Sequence, residues 1–273
     1  MKTKPIRITH FFSELEGVIS HAWTSGNDSN IAENVGNGFY ASRKALGELK
    51  ELQANPQGLK VGIVTTRRFS TAQAALKVIP HNYAVLDYGT IVLIDDQPDR
   101  EWLETLRPYI GNPLTWEKKG VLWDYAQQVR AELGLQGFEV YSDDRFGSFR
   151  VVPPPPFTKA ELEQLFQIKR PEGISAVLID NSVDFFPTLA GNANAVHHVL
   201  KRLGTTDLSS VAYAGVEPMN LALFGQFYPI TVKDADAKVK VAVKDRGGYI
   251  SHYMRHEATD DIVSHVKQLA KGR

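Results

Sequence analysis

The chain has 273 residues, room for one large or two medium domains with real hydrophobic cores. Its 31 basic and 31 acidic residues balance, which removes the electrostatic footprint expected of a nucleic-acid binder or of a protein held to an anionic membrane. The absence of cysteine excludes disulfides, thiolate metal sites and cysteine nucleophiles, and it fits the cytosol. The N-terminal run has basic residues but no apolar stretch long enough for a signal peptide. No segment approaches the roughly 20 apolar residues of a membrane span. A cytoplasmic protein with no nucleic-acid or membrane partner is the expectation.

In chain order, an apolar lead-in from Ile6 to Phe12 reads as a buried strand, and Gly17 turns the chain after it. A polar, glycine-bearing loop follows from Ser25 to Asn37. A helix is predicted from Phe39 to Gln53, with Ala45, Leu46, Leu49 and Leu52 at helical spacing and a stop at Asn55-Pro56-Gln57-Gly58. Val61 to Val64 reads as a buried strand ending in Thr65-Thr66-Arg67-Arg68, then a helix from Thr71 to Val78. Tyr83 to Leu86 and Thr90 to Ile94 flank Asp87-Tyr88-Gly89 as two short strands. This alternation argues for a parallel sheet with right-handed crossovers.

The middle of the chain differs in texture. Helices are predicted over Glu101 to Tyr109 and Val121 to Leu133, and strands over Phe138 to Ser142 and Ser148 to Val152. Pro153-Pro154-Pro155-Pro156 is a stiff spacer, and Thr158 with Glu161 has the spacing of a capping box. Ser175 to Ile179 and Val183 to Phe186 read as a hairpin across Asp180-Asn181-Ser182. From Pro187 the alternation resumes: a helix over Asn194 to Leu203, a strand over Ser210 to Gly215, and a helix around Met219 to Phe224. A strand over Tyr228 to Val232, a helical segment over Asp236 to Lys244 and a helix from Ala258 close the chain. The division that follows is a core of residues 1–92 and 187–273 interrupted by an α+β domain over 93–186.

The stretch with the most chemical content is Glu14-Leu15-Glu16-Gly17. Carboxylates at i and i+2 of a strand point the same way, and the glycine leaves them at the strand's carboxyl end, where open α/β sheets bind ligands. Further stretches fall in order: Thr65-Thr66-Arg67, Asp87-Tyr88-Gly89-Thr90, Asp184-Phe185-Phe186-Pro187, Ala190-Gly191-Asn192-Ala193, Gly215-Val216-Glu217-Pro218-Met219-Asn220 and Val232-Lys233-Asp234-Ala235. Together with the tail Gly248-Tyr249-Ile250-Ser251 and Arg255-His256-Glu257, they resemble the haloacid dehalogenase (HAD) superfamily. The likeness is to members with the large α/β cap, of the sucrose-phosphate phosphatase type. The resemblance implies a Rossmann-like α/β core, a parallel sheet flanked by helices, with an inserted α+β cap and a ligand crevice between them.

The resemblance also implies roles, and this sequence departs from most of them. Glu14 stands at the aspartate nucleophile, Glu16 at the aspartate acid/base, and Asn192 at the lysine. Thr65, Thr66 and Arg67 match the phosphate-binding positions, and Arg67-Arg68 could equally be a solvated pair. Magnesium would fall to Glu14, Glu16 and Asn220, with Val216 and Asn220 where the family has acids. An extra methylene displaces a carboxylate by about 1.5 Å, and about 1 Å of misplacement costs on the order of 10²-fold in rate. Phosphoryl transfer rests on positioning and charge neutralisation, so loss of both aspartates, the lysine and the metal acids predicts a protein without phosphatase activity and without a cofactor. Such a protein would bind a sugar, a sugar phosphate or a protein partner in a regulatory or accessory role.

Two other readings stand beside it. One is a working magnesium-dependent sugar-phosphate phosphatase using Glu14 and Glu16. The other is a structural module whose crevice is closed by Tyr88, Met219 and Phe224. His197-His198 reads as a packed pair, Glu217 as a variable loop position, and Arg255-His256-Glu257 as the start of a helix.

Overall fold

The computed structural model describes residues 6–22, 32–54, 58–115, 117–134, 136–142 and 145–272. Its central element is the strand His10–Glu14, buried along nearly its whole length. A strand covered on both faces reads as a continuous apolar run, which Phe11, Phe12 and Leu15 supply. It pairs in parallel with Val211–Ala214 on one side and Lys60–Val64 on the other. Among the described residues the sheet has eight strands, in the order Tyr249–Ile250, Tyr228–Thr231, Val211–Ala214, His10–Glu14, Lys60–Val64, Tyr83–Leu86, Ile91–Ile94 and Gln97–Pro98. The first six run parallel; Ile91–Ile94 turns back antiparallel to them, and Gln97–Pro98 pairs antiparallel to it at the edge.

Helices cover this sheet. Arg43–Gln53 packs against Arg255–Ala270, while Asn192–Arg202 packs on Tyr83–Leu86 and Ile91–Ile94. Arg255–Ala270 begins at Arg255 rather than Ala258, with Glu257 in its first turn.

Two sequence expectations shift. Phe39–Ser42 is not the start of a helix but a strand of a small antiparallel sheet with Ser20–Ala22 and Ala32–Gly36. Ser42 then caps the helix, its hydroxyl accepting from the Ala45 N–H at 3.2 Å. The helical spacing is real, but it begins only after the serine. Part of the loop from Ser25 to Asn37, and Asn55 to Gln57 of the expected helix stop, lie outside the described residues. Finally, the core sheet continues past residue 92 through Ile94 and Pro98, because Tyr83–Leu86 and Ile91–Ile94 form one hairpin.

The inserted unit has its own antiparallel sheet, ordered Glu139–Tyr141, Phe149–Val152, Ser182–Pro187, Ile174–Ile179. The helices Arg100–Ile110, Val121–Gly134 and Lys159–Phe166 accompany it. The expected capping box is present: Thr158 Oγ1 accepts from the Glu161 N–H at 3.2 Å, and Glu161 accepts from the Thr158 N–H in return. An aromatic cluster fills this unit, with Phe149 stacked on Phe185 at 4.9 Å and Tyr125 edge-on to both.

The two units are joined by buried charge. Asp87 and Tyr88 sit in the left-handed region at the hairpin turn. The Asp87 carboxylate accepts from Ser148 Oγ at 2.6 Å and the Gly147 N–H at 3.1 Å. The Tyr88 ring stacks on Phe186 at 4.8 Å, and its hydroxyl donates to Asp184. Asp184 also receives Arg150 through Nε at 2.6 Å and Nη2 at 2.8 Å, and Arg145 at 3.4 Å. The Arg150 guanidinium is pushed up by that partnership, and burial raises the Asp87 carboxyl.

Candidate functional site

At the carboxyl end of His10–Glu14 the core faces the inserted cap across a cavity of about 790 Å³. Glu14, Glu16, Thr65, Thr66, Asn192 and Asn220 all border it, so the structure brings together the residues the sequence singled out, with Arg67 behind Glu16 and outside the lining. Gly17, at φ +77, makes the turn between the acids and the next strand, a conformation that glycine adopts without the strain of a side chain.

Glu14 is buried and fully partnered. Its Oε1 accepts from the Tyr213 hydroxyl at 2.8 Å and from Asn220 Nδ2 at 2.6 Å. Its Oε2 accepts from the Val216 N–H at 2.7 Å and the Glu217 N–H at 3.2 Å. Gly215 makes this approach possible, since a Cβ there would come within 2.6 Å of Oε1. Burial raises the Glu14 carboxyl to about 7, against the pull of Val216, Asn220 and Tyr213. The Tyr213 hydroxyl is raised by burial and then by the neighbouring Glu14. From Glu14 the chain of hydrogen bonds continues: Asn220 Oδ1 accepts from Asn192 Nδ2 at 3.0 Å, while Asn192 Oδ1 is buried and has no donor.

A second cluster sits around Glu16. Thr65 Oγ1 donates to Glu16 Oε2 at 2.9 Å and accepts the Arg67 N–H at 3.1 Å. Arg67 Nε pairs with Glu16, and its guanidinium lies 4.3 Å from the centre of the Phe39 ring. The Thr65 hydroxyl proton therefore goes to Glu16 rather than standing open for a phosphate oxygen, and Arg67 is neither a solvated charge nor directed at the cavity. The strand Phe39–Ser42, read as helix from sequence, supplies the ring that holds it.

The donor set does not fit magnesium. That ion requires near-octahedral oxygen ligation and one or two carboxylates with lone pairs to give. Both oxygens of Glu14 face N–H and O–H donors, Val216 offers no side-chain oxygen, and Asn220 turns its amide nitrogen to Glu14 and its oxygen to Asn192. Among the described residues no cluster of three or more His, Asp or Glu is placed to hold a metal ion. His198 instead meets Asp99 at 3.0 Å against Trp102, and His197 pairs with Gln226, which makes both structural. No described helix is long and apolar enough to cross a membrane.

The cavity is open. Of the three side chains expected to close it, Tyr88 and Phe224 are packed away in the interior and only Met219 lines it. Several other lining residues carry no such signal in the sequence. Asp180 sits in the cap hairpin turn, Phe166 ends a cap helix, and Lys238 lies in the first turn of Ala237–Asp245. Tyr213, in the middle of an apolar strand, reads as core until its partner strand is known. Glu217 borders the cavity, its carboxyl raised by desolvation first and then by Asp180, Glu16 and Asp236.

No protein-family model and no curated protein sequence matches this chain. Solved structures do. The sucrose-phosphatase of Synechocystis, solved in complex with sucrose and phosphate, matches with a TM-score of 0.64 at 16% identity over 96% of this chain and 98% of that one. A HAD-superfamily phosphatase of Bacteroides thetaiotaomicron matches at 0.62 with 10% identity, over 98% and 97%. A HAD/COF-like hydrolase of Plasmodium vivax matches at 0.63 with 13% identity, over 97% and 98%. With the sheet order, the acids at the end of the central strand and the cap over the crevice, these similarities establish that the chain has the HAD fold with an inserted α+β cap.

Proposed function

We propose that this protein is a non-hydrolytic member of the HAD fold, whose crevice binds a small hydroxylated ligand of the sugar class in a regulatory or accessory role. The observation that carries this reading is the state of Glu14. The side chain at the nucleophile position is a buried floor element held by four neutral donors, and three of them come from the loop where the resemblance expects metal acids. Attack on phosphorus needs a carboxylate oxygen facing the substrate, with cations to gather the developing charge. Here the lysine position is the neutral Asn192, and the oxygens of Glu16 are engaged by Thr65 and Arg67 instead of facing a leaving group. The sugar class rests on the Synechocystis neighbour's bound sucrose and on a cavity of about 790 Å³ bordered by carboxylates, amides and apolar side chains.

Phosphate release from sugar phosphates in the presence of magnesium tests the first half of this reading. No release above the uncatalysed rate is expected, and magnesium titrated in a calorimeter is expected to give no saturable heat. Turnover that depends on magnesium and disappears in Glu14→Ala would overturn it in favour of a working sugar-phosphate phosphatase.

A further inference from the structure

The cavity has two unlike walls. The cap contributes Phe166 and Leu178, whose side chains are 37% and 39% exposed and offer apolar surface to the crevice. The core side and the hairpin tip contribute the carboxylates of Glu217 and Asp180, close enough for Asp180 to disturb the ionisation of Glu217. Arg67 pairs with Glu16, but among the described residues neither Glu217 nor Asp180 forms an ion pair, and Lys238 is the basic residue that borders the cavity. Such a surface repels a phosphate dianion.

An independent feature points the same way. Asn192 is only 4% exposed yet borders the cavity, and its Oδ1 is a buried acceptor without a donor. An acceptor in that state costs free energy until something donates to it. Its own amide nitrogen is committed to Asn220, so the missing partner is an N–H or O–H from outside the chain.

We propose that the crevice recognises an amino sugar: an ammonium group between Asp180 and Glu217, a donor to Oδ1 of Asn192, and the apolar ring face against Phe166 and Leu178. This deepens the sugar-binding reading above and rests on it. Hydrogen bonds to charged groups are the stronger kind, so a ligand that brings the cation gains over its neutral analogue. The carboxylates of Asp180 and Glu217 then serve as the selective element.

Calorimetry at neutral pH with three disaccharides tests this: the β-1,4 dimer of glucosamine, cellobiose, and sucrose 6-phosphate. The glucosamine dimer is expected to bind roughly tenfold or more tighter than cellobiose, with sucrose 6-phosphate weakest. Added salt should narrow the preference. Asp180→Asn and Glu217→Gln are each expected to bring the glucosamine dimer and cellobiose to within about twofold. Asp180 is exposed in the left-handed conformation that asparagine also tolerates, so that variant keeps its fold. Equal affinity of the amino and neutral sugars, no binding by either, or a preference for the phosphorylated sugar would each overturn the proposal. Magnesium-dependent hydrolysis of sucrose 6-phosphate would overturn the non-hydrolytic reading beneath it, whereas absence of hydrolysis with no amine preference removes only this inference.

Discussion

Glu14 on the crevice floor and Asp184 at the cap junction are both buried carboxylates, yet the protein holds them by opposite means. Asp184 meets two guanidiniums, from Arg150 and Arg145, and the Tyr88 hydroxyl. Glu14 meets no cation at all, only two backbone N–H groups, an amide and a phenol. The first arrangement ties neighbouring strands of the cap together by charge and reaches the core through the Tyr88 hydroxyl, while Arg145 also lies 3.8 Å from Asp87 of the core. In the second, neutral donors take up the lone pairs of a carboxyl that burial raises to about 7. One buried acid is met by charge and the other by dipoles alone.

The largest expected effect tests the cluster around Asp184. Asp184→Ala leaves Arg150 and Arg145 facing a buried gap, and removing one partner of such a pair costs about 3–5 kcal/mol. Urea unfolding at neutral pH measures it. A loss under about 1 kcal/mol would mean that solvent reaches the arginines and that the cluster is not held by buried charge.

Glu14→Gln comes next. One carboxylate oxygen becomes an NH₂ group facing existing donors, so a loss of about 1–3 kcal/mol is expected. The loss also carries a pH signature. The folded value near 7 lies above the ordinary carboxyl value of 4.5, so the folded protein keeps a proton that the unfolded chain releases in between. The stability Glu14 contributes by titration is therefore full below about 4.5 and is lost as pH rises through about 7. The cost of Glu14→Gln should shrink across that window. His21 runs the other way: burial lowers it to about 4, and its contribution is lost as pH falls from 6.5 towards 4. Because His21 is common to both proteins, the difference between them isolates Glu14. A pH-independent difference would place the carboxyl at its ordinary value and contradict the burial argument.

The legible parts of this molecule were those written in short-range pattern. Glu14 and Glu16 before Gly17 marked the end of the central strand, and Thr158 with Glu161 marked a helix start that the structure keeps. Thr65, Asn192 and Asn220 could be placed at one crevice because each follows an element whose type was readable. What could not be read was who meets whom. Asp184 looked like part of a strand leading to the site, but its register opposite Arg150 turns it to the junction. Tyr213 is one more apolar strand residue until Val211–Ala214 is known to lie beside His10–Glu14. Phe39–Ser42 does carry a local signal: Asn37-Gly38, both at positive φ, is an Asn-Gly turn joining Ala32–Gly36 to Phe39–Ser42, and the helical spacing that begins at Ala45 hides it.

The smallest expected effect bears on the second cluster, where the comparison is sharpest for function. Thr65→Val keeps the shape of the side chain but removes the hydroxyl that donates to Glu16 and accepts from the Arg67 N–H. A loss of about 0.5–1.5 kcal/mol is expected from unfolding measurements, the ordinary worth of one hydrogen bond. Affinity for inorganic phosphate, followed by calorimetry, is expected to stay unchanged. If the Thr65 hydroxyl were a phosphate donor, its removal would weaken phosphate binding along with stability. If it is spent on Glu16, the two quantities separate, because the hydroxyl holds the acid and the arginine to each other and has no proton left for a ligand. A fall in phosphate affinity of about tenfold in Thr65→Val would therefore show that Glu16 yields the hydroxyl when an anion arrives, and that the crevice still works as a phosphate site.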